Sequence, residues 1–248
     1  MTSQHSSIGT RPEIMTRGES HRKVLHIFRK KPKGKLLDIP CGQGALAQEL
    51  TGLGFDVSCC DIDSDLFLLD KSTFRQGNMN QKLPYENSSF DYIACIAGLH
   101  RIHRFEYAIS EFHRLLVPGG ELIVSFPNYS NMERRVKFLL TGSVSKVVNQ
   151  MAIHKRYTDD PDALFRQILI FPQVYFALKR NDFDLLDFCG DKIKYRSLLF
   201  LWPMGVLMKL FYLVASRDKK DNQCLGWTSS FTMLFGGNNI ILTARKSF

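Results

Sequence analysis

Short apolar runs alternate with helix-like repeats along the first half of the chain. Apolar runs of strand length stand at 35–39, 56–62, 90–98 and 121–127. Between them, 45–55 and 105–116 place apolar residues three and four positions apart, the spacing typical of an amphipathic helix. Glycines and prolines close both helical segments. The alternation of strand and helix predicts a doubly wound, mostly parallel α/β sheet.

The second half of the chain is less regular. A helical pattern at 170–183 has Pro172 in its first turn, where proline is tolerated. Two late strands are indicated at 184–195 and 238–246, and a nearly continuous apolar segment, 197–216, lies between them. We expect one late strand to run antiparallel to the others and the apolar segment to form a helical insert.

Composition favours one folded domain in a reducing compartment. The 248 residues are 44% apolar and 23% charged, enough for one α/β domain with a sizeable core. The six cysteines are scattered without metal-ligand spacing, which favours free thiols and a cytoplasmic location. Residues 1–20 are polar and lack the apolar stretch of a signal peptide. We therefore expect a flexible arm over 1–20 and a single domain over 21–248.

The turn after the first strand carries the first chemical signal. The sequence LLDIPCGQGALAQEL passes from an apolar strand through Gly42 and Gly44 into a helix. Glycines there let a ligand approach the backbone, and the start of a helix offers free N–H groups. The third glycine of a dinucleotide fingerprint and the lysine of a phosphate-binding loop are missing. Asp61, which ends the second strand, is placed to accept both ribose hydroxyls of a nucleoside.

Four ordered stretches resemble the class I S-adenosylmethionine-dependent methyltransferases, in particular their type 11 small-molecule group. The stretches are LLDIPCGQG, CCDID, GNMNQKLPYENSSFDYI and LLVPGGELIVSFPN. The resemblance implies a Rossmann-like fold, methyl transfer, and S-adenosyl-L-methionine as the cofactor with S-adenosyl-L-homocysteine as its product. It assigns the cofactor contacts to Asp38, Pro40, Gly42, Gly44, Asp61, Ile62, Asn78, Met79 and Ala97.

Within that set, the resemblance places Asp38 near the methionine and ribose, Asp61 on the ribose hydroxyls and Ile62 on the adenine. Two positions depart from the family pattern. Pro40 replaces the usual first glycine and stiffens the turn. Asn78 stands where an aspartate is common, so this position loses a charge but keeps a hydrogen-bond acceptor.

Candidate catalytic residues follow the fourth strand, which ends in GLHRIHR. Ligands of open α/β sheets bind at this edge, so His100 and His103 are candidate general bases for a hydroxyl acceptor. The alternative is that they cap the next helix or face solvent. The segment 129–170 lacks a strong period, and the resemblance indicates a substrate lid there, with His154 and Tyr157 lining the acceptor pocket.

The apolar segment 197–216 has three interpretations. It is long enough to cross a bilayer, but Pro203 and Lys209 interrupt it and two strands of one sheet flank it. The other interpretations are a helix buried in the core or in a dimer, and a helix lying on a membrane. Basic residues on both sides suit an anionic lipid surface: Lys192, Lys194, Arg196, Arg217, Lys219 and Lys220.

The sequence thus predicts a methyltransferase acting on an oxygen, in preference to nitrogen or carbon, of a small or lipid-linked acceptor. The net charge of +9 keeps an RNA methyltransferase as an alternative, although GLHR stands where amino-group methylases of nucleic acids carry their signature. A non-catalytic cofactor-binding module at a membrane surface is a third interpretation. Expected partners are the acceptor, an anionic membrane at the inner face and a second copy in a homodimer. Neither nucleic acid nor metal is expected.

Overall fold

The computed structural model describes residues 11–16, 18–143 and 165–247. Its strands are β1 (Lys35–Asp38), β2 (Asp56–Asp61), β3 (Phe74–Gln76), β4 (Phe90–Ile96), β5 (Leu116–Pro127), β6 (Phe183–Gly190) and β7 (Asn239–Lys246). They form one seven-stranded sheet in the order β3-β2-β1-β4-β5-β7-β6. The strand order reverses between β1 and β4, which creates a crevice at the carboxyl ends of the strands.

The first five strands pair in parallel, and β7 runs antiparallel between β5 and β6. In β1, Leu37 lies opposite Ser58 of β2 and Ile93 of β4. Toward the other edge of the sheet, Val124 of β5 lies opposite Leu242 of β7. Leu242 also pairs with Phe188 of β6. The predicted fold class, a mostly parallel doubly wound sheet with a late antiparallel strand, is confirmed.

Helices connect the strands and complete the C-terminal half. They are α1 (Gly18–Arg29), α2 (Ala45–Gly52), α3 (Phe105–Leu115), α4 (Met132–Thr141), α5 (Phe171–Arg180), α6 (Tyr195–Val214), α7 (Arg217–Asn222), α8 (Leu225–Thr228) and α9 (Phe231–Phe235). Short 3-10 turns stand at Lys71–Thr73 and Leu99–Arg101. The helical insert predicted between the last two strands corresponds to α6.

Helix α4 was not expected from the sequence. The side chain of Asn131 caps it by accepting the Arg134 N–H at 3.0 Å, and Gly142 ends it with a left-handed φ of 66°. Its last turn carries the exposed apolar residues Phe138, Leu139 and Leu140. These residues do not face the core, and Met132 is the buried side chain of this helix.

The core lies in two layers on either face of the sheet. Adjacent strand residues point to opposite faces, so Leu36 packs with α1 and α2 while Leu37 packs with α3 and α5. Both residues are fully buried, as expected for strands covered by helices on both sides. All six cysteines are free, and only Cys189 is not buried.

Helix α6 lies outside this core. One side packs through Leu198, Leu201, Met204 and Met208 against a small cluster formed by Met132, Leu234 and Phe235. The remaining circumference is exposed, and within the helix only Ser197 and Gly205 are buried. The interpretation of α6 as a helix buried in the core is therefore wrong for this chain.

The length of α6 also permits a test of the transmembrane interpretation. Among the described residues, α6 is the helix long and apolar enough to cross a membrane. However, β6 precedes it and β7 follows it, and these two strands pair side by side in one sheet. A single crossing would place them on opposite sides of the bilayer, so the topology excludes it.

Candidate active site

The turn between β1 and α2 brings the backbone into the crevice. Gly42 and Gly44 both have left-handed φ angles, 52° and 91°, which side chains rarely adopt. A Cβ on Gly42 would lie 2.8 Å from the Met15 Sδ atom, and one on Gly44 would lie 2.8 Å from Leu69. Gly44 also precedes α2 without a side-chain cap, so the first N–H groups of that helix have no such partner.

Asp61 is fixed beside this turn by backbone hydrogen bonds. It is the last residue of β2 and is buried. Its Oδ2 atom accepts the Gly42 N–H at 2.8 Å, and its Oδ1 atom accepts the Asp63 N–H at 3.3 Å. A carboxylate oxygen accepts more than one hydrogen bond, so both oxygens keep capacity for a ligand. The glycine turn and strand β2 together thus fix the position of the Asp61 carboxylate.

Asp38, at the end of β1, is a second acidic group in the same crevice. Its side chain is almost fully buried, and its Oδ2 atom has no hydrogen-bond partner among the described residues. Burial, reinforced by the nearby charge of Asp61, raises the pKa of Asp38 to about 8. A buried carboxyl group beside another carboxylate is suited to a ligand that brings positive charge.

A cavity of about 620 Å³ opens above these two carboxyl groups. All the cofactor residues predicted from the sequence line it except Gly44, whose role is to shape the turn and start α2. Ile62 supplies an exposed apolar side chain at the end of β2, and Asn78 and Met79 follow β3. Ala97, just after β4, has a left-handed φ of 56° and donates its N–H to Ser125.

The N-terminal segment forms one wall of the cavity. Glu13, Ile14, Met15 and Thr16 line it, and the Glu13 N–H donates to Gln43 Oε1 at 2.7 Å. Residues 18–20 already belong to α1. Residues 11–16 and 18–20 are thus placed against the domain, residues 1–10 and 17 lie outside the described part, and the flexible arm over 1–20 stays a prediction. The polar composition of this segment does not indicate the contact, because the contact is made to a turn 30 residues away.

His21 was also missed as a lining residue. It lies on α1, is only 4% exposed, and its Nε2 atom has no partner among the described residues. Burial lowers the pKa of His21, and the charge of Glu49 opposes this shift. The imidazole is therefore neutral near pH 7 and adds a hydrogen-bonding group without a charge.

The loop after β4 contributes arginine rather than histidine to the cavity. Arg101 and Arg166 line it. The segment carrying Arg166 is tied to this loop, because the Gln167 N–H donates to the His100 carbonyl at 2.9 Å. The Gln167 side chain also donates to the carbonyls of Leu99 and Ile102. Two arginines thus add positive charge to the cavity lining.

The two candidate bases lie away from the cavity lining. His100 is buried, and its burial together with the charges of Arg101 and Arg166 lowers its pKa to about 3. His103 is exposed, with its ring 3.6 Å from the ring of Phe165. A base role for either residue stays a prediction, and this placement argues against it. His154 and Tyr157, the predicted substrate residues, lie outside the described residues.

Comparison with known proteins identifies the class of domain. Residues 37–124 match the family model described as a methyltransferase domain. A SAM-dependent methyltransferase from Mesorhizobium loti has the same fold, with a TM-score of 0.55 and 13% identity over 92% of this chain and 99% of that one. Phosphoethanolamine N-methyltransferase 2 of Haemonchus contortus, solved with S-adenosyl-L-methionine, also has this fold. Its TM-score is 0.54 and its sequence identity is 15%, over 93% of this chain and 53% of that one. The chain is thus similar in fold to S-adenosylmethionine-dependent methyltransferases, and residues 37–124 match a methyltransferase domain.

Relatives in sequence carry narrower names. The ubiquinone/menaquinone biosynthesis C-methyltransferase UbiE of Rhodopseudomonas palustris is 28% identical over 169 residues, covering 60% of this chain and 64% of the relative. The demethylmenaquinone methyltransferase of Corynebacterium glutamicum is 30% identical over 97 residues, covering 38% and 42%. The chain thus matches these relatives over less than two thirds of their length.

The crevice fits the cofactor of this class. S-Adenosylmethionine carries a sulfonium, an ammonium and two ribose hydroxyls. Asp61, held by the turn, supplies an acceptor for hydroxyl groups, and Asp38, whose Oδ2 atom has no hydrogen-bond partner among the described residues, supplies a counter-charge for a cation. The glycine turn leaves the backbone accessible at Gly42. These residues would hold the cofactor, and its electrophilic methyl group is the chemistry it would supply.

Proposed function

We propose that this chain transfers a methyl group from S-adenosylmethionine to a ring carbon of a quinol. The observation that carries the transferase part is the buried pair Asp38 and Asp61 beneath the glycine turn. The acceptor part draws on the relatives, whose names specify a quinone pathway and, for UbiE, methylation at carbon. Those names support a carbon acceptor in place of the oxygen acceptor that the sequence favoured.

Carbon methylation needs an electron-rich ring. Ionising a ring hydroxyl delocalises negative charge onto the carbon next to it, which then attacks the methyl group. The carbon–sulfur bond breaks with its electron pair staying on sulfur, and the ring carbon afterwards loses its proton to water. Arg101 and Arg166 line the cavity and favour the ionised form of an acceptor hydroxyl, since a nearby positive charge lowers its pKa.

Holding the cofactor and the acceptor in position also accelerates the transfer. An in-line displacement gains when the two reactants are held in contact, because the entropy of bringing them together is lost on binding rather than in the reaction. The apolar side chains of Ile14, Met15 and Leu66 line the cavity and suit the flat apolar body of a quinol. The mechanism therefore does not depend on His100 or His103.

The test is a transfer assay with a chemically reduced, short-tailed demethylquinol and isotopically labelled S-adenosylmethionine. We expect a product heavier by one labelled methyl group, with NMR placing that group on a ring carbon. A methoxy product would contradict carbon methylation, and label found only in added RNA would favour the RNA alternative. The control is the Asp61→Ala variant, which should fail with every acceptor.

Loss of transfer in an Arg101→Gln, Arg166→Gln double variant would support the ionised acceptor. The pH profile separates this role from a structural one. Without the two cations the acceptor hydroxyl ionises at higher pH, so activity should recover as the pH is raised. Activity that stays low at every pH would contradict the proposed role of the two arginines.

A further inference from the structure

The outer side of α6 is the largest exposed apolar feature of the described residues that the crevice does not use. We call it the outer face and define it by the exposed side chains Leu199, Phe200, Trp202, Val206, Leu207, Leu210, Phe211, Leu213 and Val214. Soluble monomers rarely leave a contiguous apolar surface of this kind without a partner. The buried side of the same helix already packs against Met132, Leu234 and Phe235.

The outer face is continuous along the helix. Leu199, Val206 and Leu210 are separated by seven and four residues, so they follow one line along the helix axis. Phe200, Leu207 and Phe211 form a second line beside the first. The 20 residues of α6 extend about 30 Å, and the exposed residues reach from its first turn to its last. The result is a long, flat apolar strip rather than a pocket.

Basic side chains border this strip. Arg196 stands in the first turn, Lys209 lies along the helix, and Arg217, Lys219 and Lys220 follow its end. The segment 195–222 contains these five basic residues and two acidic residues, Asp218 and Asp221. Asp221 lies 3.9 Å from Arg217. An apolar strip bordered by an excess of positive charge is complementary to an anionic lipid surface.

A second copy of the chain is the competing occupant. In a two-fold dimer the same patch meets itself, so the basic border of one copy would face the basic border of the other. Such like-charge contact opposes association, whereas anionic headgroups neutralise the same charges. The exposed aromatic residues Tyr195 and Trp202 also suit the headgroup region, where amphipathic rings are enriched.

We propose that α6 lies in the plane of an anionic membrane, with its outer face inserted among the lipids and its basic border on the headgroups. This membrane association does not depend on which acceptor the crevice takes. It would bring the cavity to the surface where a lipid-tailed acceptor is dissolved. The location it implies is peripheral, at an anionic leaflet.

The test is cosedimentation of the full chain with phosphatidylglycerol-containing vesicles and with purely phosphatidylcholine vesicles. We expect binding to the anionic vesicles at low salt and its loss as the ionic strength rises, because the Debye length falls from about 10 Å at 0.1 M to about 3 Å at 1 M. The Leu207→Ser, Phe211→Ser double variant should need about a hundredfold more lipid, or more, for half binding, because two inserted apolar side chains are lost. The Arg217→Gln, Lys219→Gln double variant should weaken binding to anionic vesicles by about tenfold.

The matched control removes two exposed apolar residues elsewhere, in the Phe176→Ser, Leu186→Ser variant, which should bind like the parent. Cofactor binding by calorimetry verifies that every variant is folded. Absence of vesicle binding at low salt would overturn the proposal, and a dimer dissociated by the α6 changes would assign the face to a second copy. Vesicle binding that the α6 changes leave intact would overturn it as well. Methyl transfer to the short-tailed quinol is measured without vesicles, so the two proposals fail separately.

Discussion

Strand β4 and helix α6 are both nearly all apolar, yet β4 is buried and most of α6 is exposed. In β4, every residue from Tyr92 to Ile96 is buried, because β1 and β5 pair on its two edges and helices cover both faces. Among the described residues, those that pack against α6 lie mainly on the side facing α4 and α9. Apolar composition therefore does not decide burial. The number of neighbouring elements that reach a segment decides it.

The largest effect expected from this comparison is on stability. Ile93→Ala in β4 removes a fully buried side chain and should lower the free energy of unfolding by about 2–5 kcal/mol. Leu207→Ala in α6, where the side chain is 66% exposed, should change it by less than about 0.5 kcal/mol. Urea unfolding of both variants measures the difference. Equal losses would mean that the outer face of α6 is covered in solution.

The second prediction moves to the crevice at the ends of the same sheet. Asp61→Ala removes the carboxylate fixed by the Gly42 N–H and should weaken S-adenosylmethionine binding by about 2–3 kcal/mol while the fold survives. Calorimetry measures the affinity. Asp65→Ala, an exposed carboxylate on the same loop that does not line the cavity, is the control and should bind normally. If Asp61→Ala bound the cofactor within twofold of the parent, Asp61 would not be a cofactor-binding residue.

These two regions also differ in how far the sequence predicts them. The glycine turn, Asp61 and the buried strands were predicted because their signals are local: a turn needs particular residues, and a strand covered on both faces is continuously apolar. The roles of Glu13 and Arg166 depend on contacts with Gln43 and with the loop after β4, which are far away in sequence. Which side of α6 is covered likewise depends on where α9 lies. No local pattern encodes such contacts.

The third prediction concerns pH and Asp38. Its pKa of about 8 in the folded chain is above the value near 4 of an unfolded aspartate, so the folded state holds more protons between these values. Stability without cofactor should therefore fall as the pH rises from about 4 to about 8. Asp38→Asn should flatten that fall, which thermal melts across the range would detect. Asp65→Asn is the matched change at an exposed site.

The same group links cofactor binding to proton release. A cation beside Asp38 favours its carboxylate form, so binding near pH 7 should release a proton from the parent but not from Asp38→Asn. Calorimetry in two buffers of different ionisation enthalpy measures this. Equal proton release by both proteins would mean that Asp38 is already ionised before the cofactor binds.

The smallest effect is expected at His103, where the sequence suggested a base and the structure shows an exposed ring against Phe165. A general base contributes about a hundredfold or more to turnover and leaves a pH dependence when it is removed. A solvent-exposed ring that does not line the cavity has no such route to the acceptor. His103→Ala should therefore leave turnover on the quinol within about twofold and the pH profile unchanged, because surface changes cost about 0.5 kcal/mol or less. A hundredfold loss with an altered pH profile would restore the base and require the loop after β4 to move toward the cavity when the acceptor binds.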